Sequence, residues 1–201
     1  VHKDLYNPSA KAVSVVTVPP MPYLMIDGRG NPNTSQQYTE AVAALYALAY
    51  GVRAIRKAND QPFTVPPMGG LWRFEGQPPN SPFDMTAADK DRFLWTMMIQ
   101  MPDPISSEMV ETAREGVRKK KKNPPGLDDV RFEVYDEGEA VQILHIGRYD
   151  DEAPNVAKLH DHITMNGWTF GKPHHEIYLS DPRKVAPEKL KTVIRQPFLR
   201  V

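Results

Sequence analysis

The chain alternates between short apolar runs and two longer segments with helical periodicity. The first predicts a helix whose buried stripe is formed by Tyr38, Val42, Leu45, Ala49 and Val52. Ser35 or Thr34 can cap the N-terminus of this helix, because either hydroxyl accepts from a free backbone N–H group. The second helix, predicted over residues 152–166, carries an equivalent stripe of Val156, Leu159 and Ile163, with His160 as a further candidate.

Clusters of β-branched and aromatic residues between prolines and glycines predict strands. We predict strands over residues 12–18, 23–27, 63–65, 71–74, 92–101, 130–135, 140–146, 174–179 and 191–197. The runs 12–18 and 23–27 are expected to pair as a hairpin across a proline-rich turn, and 130–135 is expected to pair with 140–146.

Two segments of the chain repeat weakly. The run from Leu24 to Arg29 recurs from Ile143 to Arg148, and the run from Thr96 to Pro102 resembles that from Thr192 to Pro197. The order of hairpin, helix and two strands is thus met twice, which indicates one fold built from two similar halves. We predict half-repeats over 11–102 and 130–198 in a single domain over 1–201, joined by a linker over 103–129. In this linker Ser107 can cap a helix from Glu108 to about Lys121. The seam between two halves is a natural place for a pocket.

Composition narrows the function classes. The 25 basic and 25 acidic residues cancel, so the chain lacks the basic character of a nucleic-acid-binding protein, and the basic run 118–122 is expected to be a solvated helix end. The absence of cysteine excludes disulfides and a cysteine nucleophile. No apolar run approaches a membrane span and no signal peptide is visible, so we expect a cytoplasmic protein without a membrane partner.

The strand 174–179 carries the polar side chains of most interest. Because strand side chains alternate between faces, His174, Glu176 and Tyr178 share one face. The opposite face carries Ile177 and Leu179, which are suited to packing under a helix. A carboxylate and a phenol on the second face of a central strand indicate either a functional site or a salt-bridged sheet surface.

Other candidates divide between a pocket and the core. Alternation along 92–101 places Phe93, Trp95, Met97 and Ile99 on one face, and Trp72 lies in the preceding short strand. The two tryptophans are either ring walls of a pocket or core residues. The histidine spacings fit no zinc motif and no Gly-x-Ser-x-Gly sequence occurs, so we expect no metal, no cofactor and no serine nucleophile.

Several motifs together carry a family resemblance. The chain from about residue 12 to 198 resembles the stand-alone branch of the GyrI-like small-molecule-binding proteins. The resemblance rests on 20–28, 44–46 with Tyr50, 70–72 and 95–96 in the first half, and on 137–138, Gln142, 145–147, 149–152 and 174–183 in the second.

This resemblance implies an α+β fold of two strand-helix-strand-strand modules related by a pseudo-twofold. Their antiparallel sheets would form a concave ligand face with the helices behind. It also implies a pocket for hydrophobic, planar or cationic small molecules between aromatic walls, over a buried glutamate. Glu176 matches that acid, and the ligand contacts expected from the matched motifs are Trp72, Trp95, Tyr178, His145 and Tyr50.

Certain stand-alone relatives resemble cyclopropanoid hydrolases, which detoxify DNA-alkylating compounds by adding water to a cyclopropane ring. In such a reaction Glu176 would activate water, and a phenol, Tyr149 or Tyr178, would donate toward the developing oxyanion. Three hypotheses stay open: a hydrolase of this type, a binding protein that sequesters or senses its ligand, and a protein-interaction module. The oligomeric state is not predicted.

Overall fold

The computed structural model describes residues 3–84, 89–120 and 124–201, which form nine β-strands and four α-helices. The strands are β1 (Ser14–Val18), β2 (Met21–Arg29), β3 (Met68–Phe74), β4 (Phe93–Gln100), β5 (Arg131–Tyr135), β6 (Gly138–Ile146), β7 (Thr169–Phe170), β8 (His174–Tyr178) and β9 (Lys191–Leu199). The helices are α1 (Lys3–Tyr6), α2 (Gln36–Ala58), α3 (Ser107–Lys119) and α4 (Ala153–Met165).

Eight strands form one antiparallel sheet in the order β1-β6-β9-β8-β3-β4-β2-β5, and β7 pairs with β9. The pairing of β3 with β8 lies at the centre, and equivalent strands follow on each side, β4 and β2 from one half and β9 and β6 from the other. Helix α2 follows β2, and α4 follows β6. The predicted fold class of two strand-helix-strand-strand modules is confirmed, while the exact limits 11–102, 103–129 and 130–198 stay a prediction.

The two predicted hairpins are wrong. Strand β1 pairs with β6 of the other half, and β5 pairs with β2, so each half lends one strand to its partner. Hydrogen bonding along an antiparallel edge does not depend on which segment supplies the strand, so closeness in sequence did not decide the pairing. Each outer edge of the sheet is therefore formed by a strand from one half paired with a strand from the other.

Helix α2 begins after Ser35, whose side chain accepts from the Tyr38 backbone N–H and so caps the helix as predicted. Its buried stripe is slightly rotated from the predicted one, because Val42 is only partly buried and the helix instead buries Ala41, Ala44, Leu45, Leu48, Ala49 and Val52. This stripe packs on the face of β4 that carries Phe93, Trp95, Met97 and Ile99, which do share one face.

Helix α4 covers the second half of the same sheet face. Its residues Val156, Leu159 and Ile163 pack with Ile194 of β9, as the predicted stripe requires. Ile194 is the register partner of Glu176, so the Glu176 face of β8 is the one that bears the helices. The expectation that Ile177 packs under α2 or α4 is therefore wrong, because it lies on the opposite face, in one row with Gly69 and Met98.

The opposite face is covered by the N-terminal segment. Leu5 of α1 packs with Met25, Leu71 and Met98, among others. A fully buried charge network lies beside this cluster, in which Arg195 and His175 both contact Glu137. Arg195 also donates to the Leu5 carbonyl oxygen over 2.6 Å. The N-terminal segment is thus tied to the sheet from Asp4 onward.

Local details differ from the prediction in two places, the cap of α3 and the segment 63–65. Ser106, one residue earlier than expected, caps α3 by accepting from the Met109 backbone N–H, and Lys121, where this helix was predicted to end, lies outside the described residues. Residues 63–65 form no strand. No helix in the described ranges combines the length and the apolar character needed to cross a membrane.

Candidate active site

Glu176 lies near the centre of the sheet, on the face between α2 and α4. Its cross-strand neighbours are Gly70 and Ile194, and only 6% of its surface is exposed. A Cβ atom at Gly70 would lie 2.8 Å from the Trp72 indole nitrogen, so the lack of a side chain there leaves room for Trp72 beside Glu176. The site therefore combines an acidic group with an aromatic surrounding.

The hydroxyl group of Tyr178 holds the Glu176 carboxylate. It donates to Glu176 Oε2 over 2.8 Å and accepts from Trp72 Nε1 over 2.9 Å. Burial raises the pKa of Tyr178 well above its usual value, and the negative charge of Glu176 raises it further, so the phenol stays protonated. Trp72, Tyr178 and Glu176 form one continuous hydrogen-bonded chain.

Two more tyrosines surround this chain. Tyr149, in the turn before α4, packs edge-on against Tyr178 with ring centroids 5.6 Å apart. The ring centroid of Tyr38, in α2, lies 6.3 Å from that of Trp72. Burial, followed by the charges of Glu152 and Glu176, raises the pKa of Tyr149 to about 12. Tyr149 is therefore a neutral hydrogen-bond donor at physiological pH.

Several buried polar groups next to Glu176 lack a hydrogen-bond partner of normal geometry in the described chain. They are both carboxylate oxygens of Glu152, both ring nitrogens of His174 and the Thr192 hydroxyl. His174 Nε2 lies 3.4 Å from Glu176 Oε1. Because buried polar groups normally find partners, this concentration indicates a place where a water molecule or a polar ligand group binds.

A cleft of about 220 Å³ borders the site on the α4 side. It lies between the segment 82–84 and α4, and Phe83 at its edge stacks on the His174 ring at 4.9 Å. His160 lines the same cleft, and burial, assisted by the charge of His174, lowers the pKa of His160 to about 4. A second cleft, lined by Asp27, Glu40 and Asp129 among others, lies elsewhere, and these residues make none of the Glu176 contacts described above.

The remaining candidate residues lie outside this group. Trp95 is 2% exposed in the α2 core and donates to the Gly30 carbonyl oxygen. Both ring nitrogens of His145 are engaged, one by the Arg148 carbonyl oxygen and one by the Asn155 side chain. Tyr50 is 55% exposed and stacks on Tyr46. The structure thus brings together Glu176, Tyr178, Trp72 and Tyr149.

Three further residues around Glu176, namely Glu152, Tyr38 and His174, were not among the candidates from sequence. Glu152 begins a helix, where an acidic residue is ordinarily a solvated partner of the helix dipole, so its local pattern does not indicate burial. Tyr38 was assigned to the core stripe, and His174 was noted only as sharing the Glu176 face. Among the described residues, no three His, Asp or Glu side chains converge as a metal site would require.

Comparison with known proteins agrees with this architecture. The sequence model of the GyrI-like small molecule binding domain matches residues 11–198. The chain belongs to this family.

Among solved structures, this GyrI-like domain is similar to two proteins of Listeria innocua. An uncharacterised conserved protein is 37% identical over 98% of this chain and 97% of its own, with a TM-score of 0.88. A second, described as a hydrolase, is 34% identical over 98% of this chain and 96% of its own, with a TM-score of 0.83. The C-terminal domain of EcmrR, at 13% identity over 94% and 98% of the two chains and a TM-score of 0.58, shares the fold. Comparison with curated proteins gave no significant match.

Proposed function

We propose that this GyrI-like domain binds a planar, hydrophobic small molecule beside Trp72 and adds water to an activated cyclopropane ring in it. The observation that carries the proposal is the Glu176 carboxylate, buried against aromatic rings and held by Tyr178 over 2.8 Å. The hydrolase description of a relative 34% identical over nearly its whole length supports a hydrolytic reaction.

The reaction assigns a different task to each phenol. When water attacks the ring carbon, a C–O bond forms, the cyclopropane C–C bond breaks, and its electron pair moves to the conjugated carbonyl oxygen. Glu176 accepts the proton of the attacking water. The hydroxyl of Tyr178 is already used by Glu176 and Trp72, so Tyr178 positions the carboxylate. Tyr149 is the phenol that donates to the developing oxyanion.

Aromatic surfaces supply ligand affinity. Trp72 and Tyr149 both contact Tyr178, which holds the Glu176 carboxylate, and Phe83 at the edge of the nearby cleft stacks on His174. A flat ligand that stacks on such rings gains contact area and excludes water from the reacting bond. The cationic ligands expected for the family would be attracted by the acid, whereas the reaction itself requires a neutral electrophile.

The test uses a duocarmycin-type compound that contains an intact cyclopropane ring, followed by mass spectrometry with a protein-free control. The expected result is a product heavier by one water. Glu176→Gln should slow its formation about 10²–10⁴-fold while the fold is retained, because the amide cannot accept the proton. Glu188→Gln, at an exposed position in the turn before β9, is the matched control and should turn the compound over normally.

Binding is followed separately by quenching of tryptophan fluorescence. Quenching should be largely lost in Trp72→Phe and retained in Trp168→Phe, because Trp168 stacks on Phe198 away from the cluster. Quenching without any change in mass would overturn the hydrolysis and leave a sequestering or sensing protein. A compound that neither binds nor reacts would overturn both parts of the proposal for this ligand class.

A further inference from the structure

The geometry around the first turn of α4 places a second carboxyl group in the site. Across the sheet, Tyr178, Thr192 and His145 lie side by side as register partners on β8, β9 and β6. Tyr149 contacts the first of these and Asn155 contacts the last. Glu152 lies between Tyr149 and Asn155 in the chain, and its side chain interacts with the Thr192 hydroxyl and with Glu176.

Glu152 is fully buried, and neither of its carboxylate oxygens has a hydrogen-bond partner of normal geometry among the described residues. Its carboxyl group is nevertheless within reach of hydrogen bonds to the Thr192 hydroxyl and to the Glu176 carboxyl group. Two ionised carboxylates cannot form that bond, since both are acceptors only. One proton between them would create it and would remove the repulsion of two buried like charges.

We propose that Glu152 and Glu176 share a single proton and together hold the water molecule that attacks the substrate. This proposal rests on the proposed function for the identity of the reaction, but the shared proton does not. The neutral carboxyl group of Glu152 donates to the water oxygen or to Glu176, and the ionised Glu176 accepts the water proton. After the C–O bond has formed, the proton taken up by Glu176 passes to the phenolate oxygen of the product, which leaves the pair with its single shared proton.

The electrostatic surroundings of Glu152 favour its protonated form. Burial raises the pKa of Glu152 well above its ordinary value, and the negative charge of Glu176 raises it further. The Thr192 hydroxyl opposes this shift by hydrogen bonding, and the exposed Asp150 adds to it. The groups that face the pair come from five elements: Tyr149 and Asp150 from the turn, His174 and Tyr178 from β8, Thr192 from β9, Tyr38 from α2, and His145 from β6 through Asn155.

The first test needs no ligand. Infrared difference spectroscopy of the whole chain in H₂O and D₂O detects the carbonyl stretch of a protonated carboxyl group. At neutral pH we expect one such band in the wild type, its loss in Glu152→Gln, and its retention in Asp150→Asn, which removes an exposed acid of the same turn. In Glu176→Gln the Glu152 band should disappear at a lower pH than in the wild type, because the neighbouring negative charge is gone.

The absence of a protonated-carboxyl band from the wild type, or a band that survives Glu152→Gln, would overturn the shared proton. If Glu152→Gln does not fold, the downward shift in Glu176→Gln is the deciding result, and its absence overturns the proposal. These outcomes do not depend on whether the cyclopropane compound reacts, so the shared proton and the proposed function can fail separately.

The second test uses the duocarmycin-type compound. Turnover by the wild type should follow a bell-shaped pH profile, because activity requires one proton on the pair rather than two or none. Glu152→Gln should keep the acid limb and lose the alkaline limb, since its amide cannot ionise. A merely structural role for Glu152 would leave both limbs in place, and that result would overturn its role in holding the water.

Discussion

The Tyr178 hydroxyl donates a 2.8 Å hydrogen bond to the Glu176 carboxylate, two residues earlier on the same face of β8. The same hydroxyl accepts the indole N–H of Trp72 from the neighbouring strand. A rigid strand therefore fixes the orientation of the acid relative to the aromatic wall, so the carboxylate is positioned before any ligand enters.

Replacing Tyr178 should reveal how much this link stabilises the fold. In Tyr178→Phe the Trp72 N–H and the Glu176 carboxylate both lose a partner inside the protein, and we expect the free energy of unfolding to fall by about 1–3 kcal/mol. Urea denaturation at neutral pH measures the change. Tyr149→Phe is the control, because the described chain offers the Tyr149 hydroxyl no hydrogen bond, and its effect should stay within about 0.5 kcal/mol. Equal losses in both variants would contradict the assigned role of Tyr178.

The charge network on the opposite face should make stability depend on pH. Burial opposes the ionisation of Glu137, but His175 and Arg195 outweigh it and lower the pKa of Glu137 from 4.5 to about 2. A carboxyl whose pKa is lower in the folded state stabilises the fold above its ordinary pKa, and this contribution is lost as the pH falls through the folded pKa.

In Glu137→Gln we therefore expect a loss of about 3–5 kcal/mol at neutral pH, because the buried Arg195 charge is left uncompensated. The difference from the wild type should shrink between pH 4.5 and about 2, as the wild-type carboxyl becomes protonated. Denaturant unfolding across this range tests it. Glu139→Gln, which removes an exposed ion pair with Arg200, should have a much smaller effect. A difference that stays constant with pH would refute the assignment.

A close contact in the first half gives a prediction about packing. A Cβ atom at Gly28 would overlap with Cη2 of the buried Trp95 ring. Gly28→Ala should therefore destabilise the protein by about 1–3 kcal/mol, as overpacking of a close-packed core does. At Gly116 in α3 a Cβ atom would meet no other atom within 4 Å, and Gly116→Ala should stabilise the helix by about 0.5–1 kcal/mol. Thermal unfolding of both variants measures the contrast, and a neutral Gly28→Ala would show that Trp95 can move.

The sequence by itself determined the local elements and, in much of the chain, which side chains share one face of an element. Helical periodicity located α2 and α4, because a stripe of apolar residues at that spacing can be buried only as a helix. Strand alternation placed Glu176 and Tyr178 on one face, since the two-residue period of a strand is local geometry. The repeated order of elements and the matched motifs identified the family and the two modules.

Only the tertiary structure decided how these elements meet. The exchange of β1 and β5 between the halves depends on which sheet edges are free, and no local pattern records that. The face of β8 that receives the helices likewise depends on where α2 and α4 pack. The burial of Glu152 arises because Tyr149 and Asn155 anchor the first turn of α4 over β9. A carboxyl group that its local sequence would leave in solvent thus becomes part of the candidate active site through long-range packing.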